Sequence, residues 1–275
     1  MSEAEPGLYL LDIEGTVAPL SLTSETLFPY ARAHFEEFLR QEIAEFEDFV
    51  KRSAAAIERT GFGPAEMGEG SVFQDLMLLT MENRRETDSG APRILPAGTA
   101  DQQTVSMSSA VAVEKSLPYI YWLMDRDRKS TALKSMQGKI WKQGFECGEL
   151  KGTLFEDVPA AFARWSQTAR VAIYSSGSVE AQRLLFRYST FGDLTPLISG
   201  YFDTRTGPKG EADSHAAIAR AMEVETHEVL FLSDAVRELD AAHQAGCQTR
   251  LVVRPGNPPV ADAHGHSATE SFTAL

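Results

Sequence analysis

The chain has no long apolar run, no basic surplus and only two cysteines, and each shortage removes a class of protein. Nothing among its 275 residues approaches the ~20 consecutive apolar positions that a membrane-crossing helix needs. Residues 1–6 are acidic and lack the basic start and apolar stretch of a signal peptide, so the cytoplasm is the expected address. Cys147 and Cys247 lie far apart and outside any CxxC pair, which argues against a disulfide framework or structural zinc; both read as buried packing residues. The formal net charge of -13 repels a phosphate backbone and counts against nucleic-acid binding. A small phosphorylated substrate stays compatible, because a bound metal and one lysine reverse the potential locally. No GxGxxG or GxxxxGK follows an apolar run, and the histidines show no spacing that suggests a metal site.

What remains is a chain of ordinary globular composition, long enough for a core domain carrying a smaller one. Residues 7–13 form a short apolar run that reads as a buried strand. From 24 to about 60 the spacing turns helical, with Phe35, Phe38, Leu39, Phe46, Phe49 and Val50 close to one face. Residues 61–70 are a glycine-rich break, and 72–82 read as helix. The stretch from about 84 to 109 is polar, without period, and reads as a loop or partly disordered insert. A helix bearing Leu133, Met136, Ile140 and Trp141 follows.

After Gly152 strands and helices alternate. Strands are expected at 171–174, around Tyr201 and Phe202, at 229–232 and at 251–253, with helices at 158–167, 179–188, 211–222 and 236–245. This pattern predicts an α/β fold: a doubly wound, Rossmann-like parallel sheet core, 1–20 with 152–275, interrupted after its first strand by an all-helical cap, 21–151. Such sheets bind ligands at the carboxyl ends of their strands. The tail from Ala261 is polar and carries no signal.

The residues at those strand ends carry the chemistry. Asp12-Ile13-Glu14-Gly15-Thr16 follows the first run, and Ser175-Ser176-Gly177-Ser178 the second. Lys209 precedes the helix at 211, and Ser233-Asp234 ends the run at 229, with Glu238 four residues on. A carboxylate such as Asp12 can attack phosphorus, splitting hydrolysis into two easier steps through an aspartyl-phosphate. Bringing two anions together needs a divalent cation, and one magnesium per chain suits Asp12, Asp234 and a backbone carbonyl. Glu14 can project from the loop to protonate the leaving oxygen and later activate water, with Gly15 allowing the turn. Ser175 and the amides that follow can hold phosphate oxygens. Lys209 can neutralise the phosphoryl group and Asp12, and Glu238 can support Lys209 or metal-bound water. Taken singly, a DxE before glycine is a common loop motif, Ser-Ser-Gly-Ser an ordinary helix cap, and Lys209 a solvated lysine. Their order along one sheet edge is what points to phosphoryl transfer.

This motif set resembles that of haloacid dehalogenase phosphatases. Glu14, where most of them carry aspartate, makes the chain resemble one branch, the enolase-phosphatases of methionine salvage (acireductone synthases). Residues 174–182, 230–234 and 252–257 look like that branch, as do 127–134 with Gln137, Gly138 and Trp141 in the cap. The resemblance implies enolisation and then dephosphorylation of 2,3-diketo-5-methylthiopentyl-1-phosphate. It also implies that Ser175, Ser176 and Lys209 bind substrate, while Asp12, Glu14 (through its carbonyl) and Asp234 hold magnesium, supported by Gly15, Thr16, Gly177 and Glu238. With the charge and the missing apolar run, the expected whole is a cytoplasmic monomer whose cap closes over the site, with no nucleic-acid or membrane partner. Val17-Ala18 departs from the family's two threonines and reads as packing. Phe28, Phe35 and Trp141 are candidates for a methylthio pocket, with a structural role equally open. Two rival readings share the chemistry in part: a plain phosphatase of another metabolite, and a silent relative that binds metabolites or a protein.

Overall fold

Five strands form at or beside the expected runs, and with a sixth that was not expected they assemble, among the described residues, into one six-stranded sheet. β1 (Leu8–Leu11), β2 (Arg170–Tyr174), β3 (Gly200–Phe202), β4 (Val229–Ser233), β5 (Gln248–Val252) and β6 (Ala268–Thr269) lie in the order β3-β2-β1-β4-β5-β6. Every neighbouring pair is parallel. The computed structural model describes residues 5–60, 71–88, 90–94, 109–128 and 130–275, and the side chains of 46–60, 73 and 109–112 fall outside that description.

The sheet is covered on both faces, which is why its central strands are apolar at nearly every position, Arg170 and Ser233 at strand ends apart. Leu11, Val171, Ile173, Leu230 and Leu232 face one side, packed by α5 (Val158–Trp165) and α6 (Val179–Arg187) through Phe162, Trp165 and Phe186. Leu8, Leu10, Ala172, Tyr174, Val229 and Phe231 face the other, covered by α7 (Ala212–Ala221) and α8 (Val236–Gln244) through Ile218, Ala219, Leu239 and Ala242. Each large apolar side chain buried this way contributes about 2 kcal/mol. The register sets Leu11 opposite both Ile173 and Leu232, so the three central strands end level.

The described chain divides into two compact units, Met1–Leu27 with Lys142–Leu275, and Phe28–Trp141. Among its described residues the regular elements of the second are all helices: α1 (Phe28–Thr60), after a π-helical turn at Leu22–Leu27, then α2 (Val72–Arg85), α3 (Ser109–Asp125) and the greater part of α4 (Thr131–Cys147). Its core joins Phe35, Phe38 and Leu39 to Leu79, Ile120, Met136 and Ile140. The remaining stripe residues, Phe46, Phe49 and Val50, have side chains outside the description. Asp75 is buried in this unit and is matched there by the Lys139 ammonium and the Ser135 hydroxyl.

The structure adds to the expectations and corrects some. α3 was not among the expected helices: Val113, Leu117, Tyr119, Ile120, Trp122 and Leu123 are all buried, so it carries no clean helical stripe, and Pro118 lies within it. The described part of the polar insert beyond α2, 86–88 and 90–94, is a loop as expected, tied back to α2: Asn83 Nδ2 donates to the Pro92 carbonyl at 2.8 Å and Asn83 Oδ1 accepts the Ile94 amide at 3.0 Å. Residues 95–108 of that insert lie outside the description. Cys147, expected inside, is exposed at the end of α4, whereas Cys247 is buried. The tail from Ala261 supplies β6 and the fully buried Phe272, against which Trp165 packs. Phe35 is fully buried in the helical core and so serves packing, while Phe28 stacks on Trp141 with ring centroids 6.1 Å apart.

Candidate active site

The level strand ends gather the expected residues into one cavity of about 200 Å3, lined by Asp12, Glu14, Ser175, Ser176, Lys209, Asp234 and Glu238. Gly15, Thr16 and Gly177, the other expected members, sit behind this lining in the loops that carry it.

Asp12 leaves β1 almost fully buried, and its Oδ1 accepts the Ile13 amide at 2.7 Å. The loop after it is wound tightly: the Val17 and Ala18 amides both donate to the Ile13 carbonyl at 2.9 Å, and Gly15 has a φ of 68°. A Cβ at Gly15 would strike the Asp234 carboxylate, so glycine is required there for both conformation and space. Val17 and Ala18 are fully buried in the sheet core, which accounts for their apolar character. Glu14 is half-buried and accepts a hydrogen bond from the Thr23 hydroxyl.

The serine cluster divides its labour. Ser178 caps α6 by accepting the Ala181 amide at 3.2 Å, the ordinary helix-cap role. Ser175 is held by its own amide, which donates to the Phe202 carbonyl at 3.1 Å, and its Oγ accepts the Gly177 amide at 3.3 Å. A Cβ at Gly177 would meet only Ser175 Oγ, at 3.7 Å, so space does not demand glycine there.

Charge is concentrated and unbalanced. Lys209 Nζ lies 2.7 Å from Asp12 Oδ1 and 2.7 Å from Glu238 Oε2, and Ser233 Oγ donates to Glu238 Oε2 at 3.0 Å. Burial alone would depress the lysine, but the two carboxylates outweigh it and hold its pKa above the ordinary value. Asp234 is pushed up to about 6 by burial and by the charges of Asp12 and Glu238. Three carboxylates thus face one ammonium, a surplus of negative charge that fits a divalent cation. Among the described residues no three His, Cys, Asp or Glu side chains form a metal-binding group; the Asp12 and Asp234 carboxylates, which face one another in the cavity, are two that could take part in holding a cation.

The loop after β5 completes the site, and it was not among the expected site residues. Asn257 Nδ2 donates to the Gly15 carbonyl at 2.9 Å, and Arg254 Nε donates to the Thr16 carbonyl at 3.1 Å. Both belong to the 252–257 stretch that the family resemblance singled out without a role. A larger cleft of about 520 Å3 lies within the helical unit, but its acids are already paired, Glu86 with Arg128 and Glu82 with Ser130. It carries none of the strand-end motif residues, so size does not identify the site. His264 and His266 both hydrogen-bond Asp240, at 2.8 and 3.0 Å, and none of the three lines the strand-end cavity.

Comparison with known proteins agrees with this chemistry. A family profile described as haloacid dehalogenase-like hydrolase matches residues 7–246. The enolase-phosphatase E1 of Synechococcus elongatus is 46% identical over 91% of this chain and 90% of its own length. That of Pseudomonas fluorescens is 39% identical over 98% and 96%, and that of Danio rerio 37% identical over 91% and 86%. Among solved structures, the UTR4 protein of Saccharomyces cerevisiae superposes with a TM-score of 0.69 at 32% identity, covering 98% of this chain and 100% of that one. No described helix is long and apolar enough to cross a membrane. The parallel sheet, the cavity at its strand ends and these full-length similarities establish that the chain belongs to the enolase-phosphatase E1 family, within the haloacid dehalogenase-like hydrolases.

Proposed function

We propose that the protein converts 2,3-diketo-5-methylthiopentyl-1-phosphate to the acireductone 1,2-dihydroxy-3-keto-5-methylthiopentene and phosphate, the bifunctional step of methionine salvage. The observation that carries the reading is the Lys209 ammonium held 2.7 Å from Asp12 inside a cavity that also presents Glu14. Support for the substrate comes from relatives named enolase-phosphatase E1 at 36–46% identity.

In this reading Asp12 is the nucleophile and becomes the aspartyl-phosphate, while Lys209 offsets charge on both the carboxylate and the phosphoryl oxygens. Ser175 and Ser176 hold two of those oxygens, and Glu238 keeps Lys209 charged and aimed. Glu14 first takes the proton from the carbon bearing the phosphate ester, then protonates the leaving oxygen, and finally activates water. Magnesium, held by Asp12, Asp234 and the Glu14 carbonyl, would supply Lewis-acid polarisation and relief of anion repulsion when bound. The reading takes the enzyme as a cytoplasmic monomer with one magnesium per chain, the acidic charge of -13 arguing against a nucleic-acid partner.

A panel of esters tests the substrate. The magnesium-loaded enzyme is expected to release phosphate from the diketone ester far faster than from phosphoglycolate or sugar phosphates. Equal or faster release from the simple esters would leave a plain phosphatase, and no release from any would leave a silent relative.

A further inference from the structure

Lys209 sits on an irregular loop, and an irregular backbone alone does not aim a side chain with four rotatable bonds. Two side chains pin that loop to the sheet core. The Tyr174 hydroxyl, at the end of β2, donates to the Gly207 carbonyl at 2.8 Å. His215, fully buried on α7, brings its Nε2 to 2.9 Å from the Lys209 carbonyl. A carbonyl only accepts, so Nε2 carries the proton and Nδ1 is left as a bare acceptor. That Nδ1 is buried with no hydrogen-bond partner. Burial also depresses the His215 pKa, which keeps the ring neutral.

An unsatisfied buried acceptor costs folding about 1–3 kcal/mol. Phenylalanine in the same slot would keep the packing, because the ring already lies edge-on to Tyr174 at 5.6 Å and against Phe231 at 4.8 Å, and would remove the bare Nδ1, but it would leave the Lys209 carbonyl without its donor. What the imidazole adds is one directed hydrogen bond to the backbone of Lys209. We infer that His215 is a positioning residue for phosphoryl transfer: by fixing the Lys209 carbonyl it fixes the direction in which the lysine side chain leaves the loop. This sets Nζ at 2.7 Å from both Asp12 and Glu238. Ser214 supports the same geometry, since it fills the space that a Cβ at Gly207 would need. The inference rests on the proposed role of Lys209 in phosphoryl transfer.

Two variants of the magnesium-loaded enzyme test it, assayed on the diketone phosphate with wild type alongside. His215→Phe trades the bare Nδ1 for an unpartnered Lys209 carbonyl and is expected to change Tm little, yet to lower kcat roughly ten- to hundredfold, with KM changing much less. His215→Gln places an amide N–H near the position of Nε2 and is expected to recover most of kcat even if Tm falls. Nitrogen NMR of wild type should show His215 as the neutral Nε2–H tautomer throughout the neutral pH range. A His215→Phe enzyme with wild-type kcat would overturn the inference, as would losses of kcat that simply follow Tm in both variants. Wild type inactive on every phosphate ester would instead sink the functional reading, and the inference with it.

Discussion

Lys209 Nζ stands 2.7 Å from Asp12 Oδ1, and the lysine side chain is only 10% exposed, so the contact is sheltered from solvent screening. Lys209→Met would leave Asp12, Asp234 and Glu238 facing one another with no protein cation among them. Removing a charge-stabilising donor of this kind is expected to lower kcat by about 10²- to 10³-fold. Steady-state phosphate release measures it, and a loss of less than a few-fold would show that the lysine serves folding only.

Gly15 and Asp234 are in close apposition, and Gly15 holds a φ of 68°. Gly15→Ala is expected to destabilise the protein by about 1–2 kcal/mol from the left-handed backbone alone. It should also displace Asp234 and weaken magnesium binding, read by isothermal titration of the metal. Unchanged metal affinity would mean that the loop does not set the position of Asp234.

Asp157 and Arg254 tie the first loop to the C-terminal segment. Arg254 Nη1 meets Asp157 Oδ2 at 2.9 Å, both side chains are largely buried, and Asp157 also accepts the Ser271 hydroxyl and the Phe272 amide. Burial would raise the Asp157 pKa, but these bonds, led by Arg254, outweigh it and hold it below the ordinary 3.8. The stabilisation is therefore complete above the unfolded-state value and fades as pH falls through the lower folded-state value. Asp157→Ala should cost about 3 kcal/mol near neutral pH, the usual penalty for stranding a buried partner. Denaturant melts should show that cost shrinking below about pH 4. A cost that does not vary with pH would assign it to packing.

Glu14 is one methylene longer than the aspartate found at this place in most of the superfamily. If it serves both the carbon-bound proton and the leaving oxygen, Glu14→Asp should slow enolisation and phosphate release together. Stopped-flow absorbance of the enol, run beside a phosphate assay, separates the two; intact enolisation with slow phosphate release would assign the first proton to another group.

Much of this architecture is legible in the sequence, and the exceptions share a physical cause. β1, β2 and β4 are buried on both faces, so their apolar runs stand out, and the polar residue after each run marks the sheet edge. Asp12, Ser175, Lys209, Asp234 and Glu238 are readable because each follows a run or opens a helix. α3 is hidden because its burial on several sides erases the helical stripe. β6 is two residues long, and Phe272 is a lone aromatic in a polar tail, so neither leaves a periodic signal. Arg254 and Asn257 bond backbone carbonyls far away in sequence, and His215 bonds the Lys209 carbonyl from the neighbouring helix, relationships that only the folded chain displays.

The most direct test is an anaerobic reaction of the magnesium-loaded protein with 2,3-diketo-5-methylthiopentyl-1-phosphate, following enol absorbance and phosphate release together, with Asp12→Asn alongside. An enol signal followed by stoichiometric phosphate, with phosphate release abolished in Asp12→Asn, is the predicted result. Phosphate freed from simple esters but neither enol nor phosphate from this substrate would contradict the methionine-salvage assignment, and full phosphate release by Asp12→Asn would contradict the nucleophile.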